Sequence, residues 1–337
     1  MQQTAAELGY RMPGEFEPVG AVWLTPPVND ETWPGCFDQA KAQHAAMCEA
    51  IGKVVRVQRI GVDHDWPVND SWVRDYGPIF VVNQRGELAC HDFVFNGWGG
   101  KYNAEYSEDD ITPRRVAKLL NIPVWEHTLV LEGGSIDVNG AGTVMTTAQC
   151  LLNENRNPHL TRQAIEAELH GALGTRHVIW LPGGIVGDDT DGHIDDIARF
   201  VDPTTVMAVA APQGHDDYAV LSKNLDALRE ATDQDGNKLN VVELPAPDPI
   251  QYDFPADRFG PGGVGPVPAS YANFLIVNQH VFVPIFGQAG DDRALAIIEK
   301  TTGKTAIGIR AERLVVGLGA VHCLSMQQPA GQAGESD

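Results

Sequence analysis

The sequence has few basic residues and no long apolar run. Lys and Arg number 24 against 45 Asp and Glu, which gives the 337-residue chain a formal net charge of −21. This acidity argues against nucleic acid or an anionic membrane surface as a partner, and it suits a small cationic substrate. No apolar segment is long enough to span a bilayer, and the first residues lack the basic and apolar regions of a signal peptide.

Cysteine is also scarce. The chain has five cysteines, an odd number, and no CxxC pair. A disulfide framework or a cysteine zinc site is therefore not expected, and a reducing cytoplasm is the predicted location. Cys48, Cys90 and Cys150 fall in or beside predicted helices and strands, where packing is the expected role. Cys323 lies after a run of small residues near the chain end, and it is either a buried filler or a nucleophile.

What the chain does contain is a repeated pattern of strands, turns and helices. Its 35 glycines and 22 prolines are typical of many turns between short strands. The segment YGPIFVVNQ at 76–84 returns as YANFLIVNQ at 271–279, weaker copies end at Asn139 and Asp202, and AVWLTPP near the start makes a fifth unit. Helices are predicted at 37–52, 112–120, 161–173, 216–232 and 291–302.

One such unit cannot cover its own apolar faces, so neighbouring units must pack around a centre. We therefore predict a single α/β domain over residues 1–337, a five-bladed α/β propeller with pseudo-five-fold symmetry. Residues 331–337 are expected to form a flexible tail, and the Pro- and Gly-rich segment 245–268 a functional loop or lid. A doubly wound parallel sheet is the alternative. The exposed edges of a ring also predict a homo-oligomer.

Polar residues stand at equivalent points of successive units. They are Asp75 in WVRDYGP, Glu132 in LEGGS, His193 and Asp195 in DGHIDD, and Cys323 in AVHCLSMQQPA. Any one of these acids is more often a cap or a solvated residue. If each unit delivers its first loop to the ring axis, however, the five side chains converge there.

Two kinds of ligand suit three carboxylates, a histidine and a cysteine. A metal ion is one, but cysteine is a poor ligand for a hard ion and no HxH or HxxxE pattern is present, so a metal site is the less favoured reading. A guanidinium is the other. Two carboxylates accept its N–H forks and leave the central carbon open to a thiolate. A histidine then protonates the departing ammonia and activates water.

The chain resembles the agmatine deiminases, which share a guanidino-modifying superfamily with arginine deiminases and bacterial-type peptidylarginine deiminases. The resemblance runs from Met12 to Ala330 and rests on the segments WVRDYGP, FNGWGGKY, LEGGSIDV, TTAQCLLNENRNP, GDDTDGHIDD, PASYANF and HCLSMQQPA. It implies the pentein fold, an α/β propeller with five-fold pseudosymmetry. It also implies hydrolysis of agmatine to N-carbamoylputrescine and ammonia without a metal or an organic cofactor.

The resemblance also implies roles for the five polar residues. Cys323 would be the nucleophile that forms a covalent amidino-cysteine intermediate, and His193 the general acid and base. Asp75 and Asp195 would clamp the guanidinium, and Glu132 would orient His193.

Other residues near these motifs have two readings each. Trp72 either lines the pocket or belongs to the core, and Arg74 is expected to anchor a neighbouring acid. The acids of the GDDTDG loop either guide the distal amine of the substrate or, as we favour, are solvated; they are Asp188, Asp189 and Asp191.

Alternative functions stay open. Free arginine or peptidylarginine could replace agmatine, with Lys101 or Arg258 as the cation for a free carboxylate. The family pattern differs here at Pro26-Pro27, at GLGAVHC and around Arg199, away from the five central residues. An amidinotransferase would share the thiol chemistry, and a non-catalytic propeller of the same fold would act as a binding module.

Overall fold

The computed structural model describes residues 3–102, 106–255 and 262–333. In this part of the chain, seventeen strands form five three-stranded sheets and one two-stranded hairpin. The strands are, in chain order, β1 (Val19–Leu24), β2 (Arg56–Arg59), β3 (Ile79–Val82), β4 (Leu88–Val94), β5 (Val124–Val130), β6 (Ile136–Val138), β7 (Thr143–Thr147), β8 (His177–Leu181), β9 (Ala198–Phe200), β10 (Thr205–Ala210), β11 (Asn240–Pro245), β12 (Ile250–Phe254), β13 (Gly263–Val267), β14 (Leu275–Val277), β15 (His280–Ile285), β16 (Thr305–Arg310) and β17 (Ser325–Pro329).

Five longer helices accompany the sheets, within two residues of the predicted limits at each end. They are α1 (Phe37–Gly52), α2 (Thr112–Leu120), α3 (Arg162–Leu173), α4 (Tyr218–Glu230) and α5 (Asp291–Thr302). Their ends follow from local chemistry. The Thr161 hydroxyl accepts the Ala164 N–H at the start of α3, and Gly174 ends that helix in the left-handed conformation. None of the helices that the structure describes is long and apolar enough to cross a membrane.

The five three-stranded sheets share one strand order. In four of them a hairpin leads into the central strand, and a helix then leads to a parallel third strand, as in β3-β4-α2-β5. The others of this kind are β6-β7-α3-β8, β9-β10-α4-β11 and β14-β15-α5-β16. In the fifth sheet, β1 pairs antiparallel with β17 and parallel with β2, so strands from both ends of the chain complete it.

The mixed α/β class is confirmed, and the alternative of one doubly wound parallel sheet is wrong. Each described sheet contains an antiparallel pair, and none has more than three strands. The helices cover the sheets through one apolar face. In α1 this face consists of Ala40, His44, Met47 and Ile51, which are spaced three or four residues apart and buried.

Two segments differ from their predicted form. The segment 245–268 is largely a β12–β13 hairpin, and its residues 256–261 lie outside the described residues. Within the expected tail, the Gln332 carbonyl accepts the Leu88 N–H at 2.9 Å, and the Gln332 N–H donates to the Gly86 carbonyl. The described start of the tail is therefore bonded to the β3–β4 hairpin, while 334–337 lie outside the described residues.

The segments that precede the first strand of each hairpin are irregular or one short turn long. Three are the turns Val73–Tyr76, Gly133–Ser135 and Ile194–Asp196, which lead into β3, β6 and β9. Another is the run 270–273 before β14, and the last is 318–324 before β17. These five segments occupy equivalent places in the five sheets, and each carries residues of the site described below.

Candidate active site

The predicted polar residues are buried, and four of them are brought together. Asp75, Glu132, His193, Asp195 and Cys323 are each 5% exposed or less. A Cβ added to Gly134 would lie 2.6 Å from His193 Nδ1, 2.7 Å from Asp75 Oδ1 and 3.1 Å from Asp195 Oδ2. Glycine is required at this position because the three side chains converge on the space that a larger residue would fill.

The Cys323 thiol faces one of these acids. Its Sγ atom lies 3.5 Å from Asp195 Oδ2. On its other side, Asn273 Nδ2 lies 3.0 Å from Sγ. The Asn273 Oδ1 accepts the backbone N–H of His322 at 2.9 Å, so the amide is fixed against the same segment that carries the thiol. Sequence reasoning missed Asn273, although the repeat places the segment 270–273 at the point equivalent to the other four.

Asp75 is held by two donors. The Trp98 indole N–H donates to Oδ2 at 2.9 Å, and the Gly134 backbone N–H donates to Oδ1 at 3.1 Å. The same Oδ1 lies 3.5 Å from His193 Nδ1. Trp98 was not singled out from the sequence, although it lies in the FNGWGGKY segment that carries part of the resemblance.

Glu132 does not bond to His193 as expected. Its Oε1 accepts from Arg156 Nε at 2.7 Å, while Oε2 has no hydrogen-bond partner among the described residues. Within the same part of the chain, neither ring nitrogen of His193 has one. One oxygen of Glu132, one nitrogen of His193 and the Cys150 Sγ lie within 4.8 Å of one another. Cys150 was expected only to pack in the core, and it is buried beside Glu132 and His193.

A second group of three possible metal-ligand atoms includes the thiol. It consists of one carboxylate oxygen each from Asp195 and Asp196 and the Cys323 Sγ, which lie within 4.8 Å of one another. Both groups combine thiol with carboxylate, and the first adds imidazole, a donor mixture closer to zinc than to a hard cation. The absence of a metal and of other cofactors from the working protein stays a prediction.

A small pocket opens onto Cys323. It is lined by Trp72, Asp75, Trp98, Tyr102, Asp189, Thr190, Gly317, Leu318 and Cys323. Trp72 both lines this pocket and packs on the core, with its ring centroid 5.4 Å from that of Trp33. A larger open groove lies beside α1 and β2, and it contains none of the predicted catalytic residues.

Backbone strain collects at the pocket. Two lining residues, Trp98 (φ 54°) and Leu318 (φ 73°), have left-handed backbones that side chains rarely adopt. Asp191, beside the pocket, is a third (φ 66°). Such conformations cost of order 1–3 kcal/mol each and cluster at functional sites. Three of the five left-handed non-glycine residues in the described part of the chain thus lie at or beside the pocket, where the strain aims particular side chains.

Burial dominates the pKa values of the site. It favours the neutral imidazole and lowers the pKa of His193 to about 3. Burial, followed by the charge of Asp195, raises the pKa of both Asp75 and Cys323 well above their ordinary values. Burial, followed by the charge of Asp195, also raises the pKa of Asp196. Asp195 is the exception: burial opposes its ionisation too, but its hydrogen bond with His322 and the positive charges around it, His322 and Arg199 among them, together outweigh burial and lower its pKa.

The remaining candidates are engaged in other contacts. Asp191 accepts from Lys101 at 2.6 Å, from Arg156 at 2.9 Å and from Asn155 at 2.9 Å, so it is an ion-paired loop residue. The Asp188 carboxylate accepts the backbone N–H of Thr190 at 2.7 Å.

Of the three acids in that loop, Asp189 lines the pocket. Arg74 is buried, and its Nη2 atom lies 3.6 Å from Glu15, which agrees with the predicted anchoring of an acid. Arg258 lies outside the described residues.

Comparison with known proteins extends over nearly the whole chain. Residues 11–329 match the model of the Porphyromonas-type peptidyl-arginine deiminase family. A curated protein of Vibrio parahaemolyticus, provisionally named agmatine deiminase, is 34% identical over 361 residues, which cover 98% of this chain and 99% of the relative.

Solved structures agree with the sequence match. The agmatine deiminase of Enterococcus faecalis superposes with a TM-score of 0.91 at 31% identity and 98% coverage of both chains. A cysteine-to-serine variant of Campylobacter jejuni agmatine deiminase with substrate bound has a TM-score of 0.84 at 27% identity, covering 96% of this chain and 97% of that one. The dimethylarginine dimethylaminohydrolase of Pseudomonas aeruginosa shares the fold, with a TM-score of 0.55 at 14% identity. This chain therefore belongs to the Porphyromonas-type peptidyl-arginine deiminase family.

Proposed function

We propose that this protein is an agmatine deiminase, which hydrolyses the guanidinium of agmatine to N-carbamoylputrescine and ammonia. The observation that carries the proposal is the meeting of a thiol, an imidazole and two carboxylates around Gly134. The whole-length relatives named or solved as agmatine deiminases support the same substrate.

The reaction follows from these groups. Asp75 and Asp195 hold the N–H forks of the guanidinium, and Cys323 passes its proton to the neutral His193 as its sulfur attacks the central carbon. His193 then gives that proton to the departing nitrogen, which leaves as ammonia, and an amidino-cysteine remains. Water next loses a proton to His193 and attacks the same carbon. The carbon–sulfur bond then breaks, His193 returns that proton to the leaving sulfur, and the hydroxyl proton of the collapsing intermediate passes to solvent as the ureido product is released.

The substrate itself supplies the charge that the thiol needs. Burial and the nearby acids raise the pKa of the Cys323 thiol and disfavour a thiolate. A guanidinium about 4 Å from the sulfur would stabilise the thiolate by about 4 kcal/mol at an effective dielectric constant of about 20. A cation in the pocket thus favours formation of the nucleophile.

The charges around the pocket favour agmatine over free arginine. Its described lining contains the acids Asp75 and Asp189 and no Lys or Arg. Lys101 is nearby, but its ammonium contacts Asp191 and the Asp189 carbonyl. A free arginine carboxylate would therefore meet acids rather than a cation, whereas the amine of agmatine would be attracted.

We infer, in addition, that the five similar sheets are five blades of one closed propeller. The shared strand order, the completion of one sheet by strands from both chain ends and the meeting of five equivalent segments at the thiol support this reading. All five cysteines are free, which fits the proposed cytoplasmic location. A homo-oligomer stays a prediction, which light scattering would test.

The proposed function is tested by comparing agmatine, arginine and a peptidylarginine side by side. We expect ammonia and N-carbamoylputrescine from agmatine, and at least a 10-fold lower kcat/KM for the other two. Cys323→Ala should abolish turnover, while the matched control Cys90→Ala, in the core, should retain it. Equal ammonia release by wild type and Cys323→Ala would refute the thiol mechanism, binding of agmatine without ammonia release would leave a binding module, and transfer of the amidino group to an added amine would identify an amidinotransferase.

A further inference from the structure

A buried histidine stands directly behind the acid that faces the thiol. His322 Nδ1 lies 2.7 Å from Asp195 Oδ2, and its Nε2 lies 2.9 Å from Glu15 Oε2. All three side chains are 5% exposed or less. An ionised carboxylate can only accept hydrogen bonds, so both ring nitrogens must donate. Where both carboxylates are ionised, His322 is therefore an imidazolium cation between two anions.

The far carboxylate is fixed from several directions. Glu15 Oε1 accepts from Arg199 Nη2 at 2.9 Å and from the Ile276 backbone N–H at 2.7 Å. Arg74 Nη2 lies 3.6 Å from Oε2. Arg199 in turn donates from Nε to Asp137 at 3.0 Å. Burial opposes ionisation of Glu15, but Arg199 and its other cationic neighbours outweigh it and lower its pKa.

The same histidine is coupled to the nucleophile. It directly precedes Cys323, and its backbone N–H donates to Asn273 Oδ1 at 2.9 Å, while Asn273 Nδ2 contacts the Cys323 sulfur at 3.0 Å. One residue therefore fixes the carboxylate, through its ring, and the amide beside the thiol, through its backbone.

We propose that His322 is a positioning residue, an imidazolium locked by Glu15 that keeps Asp195 ionised and aimed at the cationic head of the substrate. This inference rests on the proposed guanidinium reaction. Among the acids that face the thiol, Asp195 alone is paired with this cation. Asp195 is therefore the carboxylate that is already ionised before the guanidinium binds, and Asp75 completes the clamp when the substrate arrives.

A binding experiment separates this inference from the proposed function. Agmatine binding is measured by calorimetry in Cys323→Ala and in the double variant with His322→Gln. Glutamine can donate one hydrogen bond to Asp195 but carries no charge, so we expect affinity to fall about 10- to 100-fold. Failure of Cys323→Ala itself to bind agmatine would overturn the proposed function. Equal binding by both would overturn the role of His322 alone.

Kinetics distinguish positioning from a merely structural role. In His322→Gln with an intact thiol, we expect the acidic limb of the kcat/KM profile to move to higher pH, because Asp195 loses the cation that keeps it ionised. Glu15→Gln should move the limb in the same direction by less. His44 is a buried histidine on α1, so His44→Asn is the matched control and should leave the acidic limb in place.

A variant that folds poorly can still report on the mechanism. Added imidazole should restore turnover to His322→Gly, and more strongly at a pH where imidazole is protonated. A profile whose acidic limb is unmoved in His322→Gln, or restoration that is independent of the charge of imidazole, would overturn the proposal.

Discussion

Replacing Asp195 by asparagine should make the Cys323 thiol more acidic even as it abolishes turnover of agmatine. The sulfur lies 3.5 Å from Asp195 Oδ2, and burial followed by the charge of Asp195 raises the thiol pKa. A unit charge at that distance is worth about 5 kcal/mol at an effective dielectric constant of about 20, so the charge of Asp195 strongly disfavours the thiolate. Asparagine keeps the shape of the side chain and removes this repulsion.

The assay is alkylation of Cys323 by neutral iodoacetamide across a range of pH, followed for each peptide by mass spectrometry. We expect the inflection of the rate to lie at a clearly lower pH in Asp195→Asn than in wild type, because the charge that disfavours the thiolate is gone. Asp235→Asn removes an exposed acid that pairs with Arg176, and it should leave the inflection in place. Cys48, whose pKa burial raises to about 11, is an internal reference in every digest.

A cationic reagent gives the complementary measurement. Chloroacetamidine brings its own positive charge to the clamp, so in wild type it should alkylate Cys323 at a lower pH than iodoacetamide does. The difference between the pH values at which the two reagents alkylate Cys323 should narrow in Asp195→Asn, because this variant has lost the anion that binds the cationic reagent. The same inflection in both proteins with iodoacetamide would refute the view that a charged Asp195 faces the thiol.

Three further predictions follow from single contacts and pKa shifts. Gly134→Ala places a methyl group 2.6 Å from His193 Nδ1, so kcat should fall more than 100-fold with little change in the melting temperature. Asn273→Ala removes the amide 3.0 Å from the Cys323 sulfur, and kcat should fall about 10-fold with KM nearly unchanged. Burial lowers the pKa of His44 to about 4, below its unfolded value near 6.5, so the stability it contributes is complete above pH 6.5 and is lost as pH falls through 4. In denaturant unfolding between pH 4 and 7, the free energy of unfolding should fall less with acid in His44→Leu than in wild type, by up to roughly 3 kcal/mol.

Local signals predicted the elements of this fold well. The helix limits follow from caps and apolar spacing, as at Thr161 and Gly174, because those signals lie within one or two turns of the residues they control. The repeat also located the site-bearing segments, since each one directly precedes the first strand of a hairpin. It would have located Asn273 as well, had the fourth unit been searched for a polar residue like the others.

The layer behind the thiol could not be predicted in this way. Glu15 and His322 are 307 residues apart, and no local pattern relates them. The partner of Glu132 was misjudged for a similar reason. Arg156 belongs to a different loop from His193, and only the packed structure shows that it takes the Glu132 carboxylate. Pairings of buried charges depend on which loops meet, and the spacing of residues along the chain does not contain that information.

The distribution of charge around Cys323 also explains how the reaction can end. Arg199 and His322 lie behind Asp195, while the side that faces the pocket has acids and a neutral imidazole. A guanidinium completes this arrangement and stabilises a thiolate. The ureido product is neutral, so it no longer offsets the acids, and the thiolate that leaves it regains a proton. The loss of positive charge that defines the reaction is thus the same event that resets the nucleophile and weakens the hold on the product.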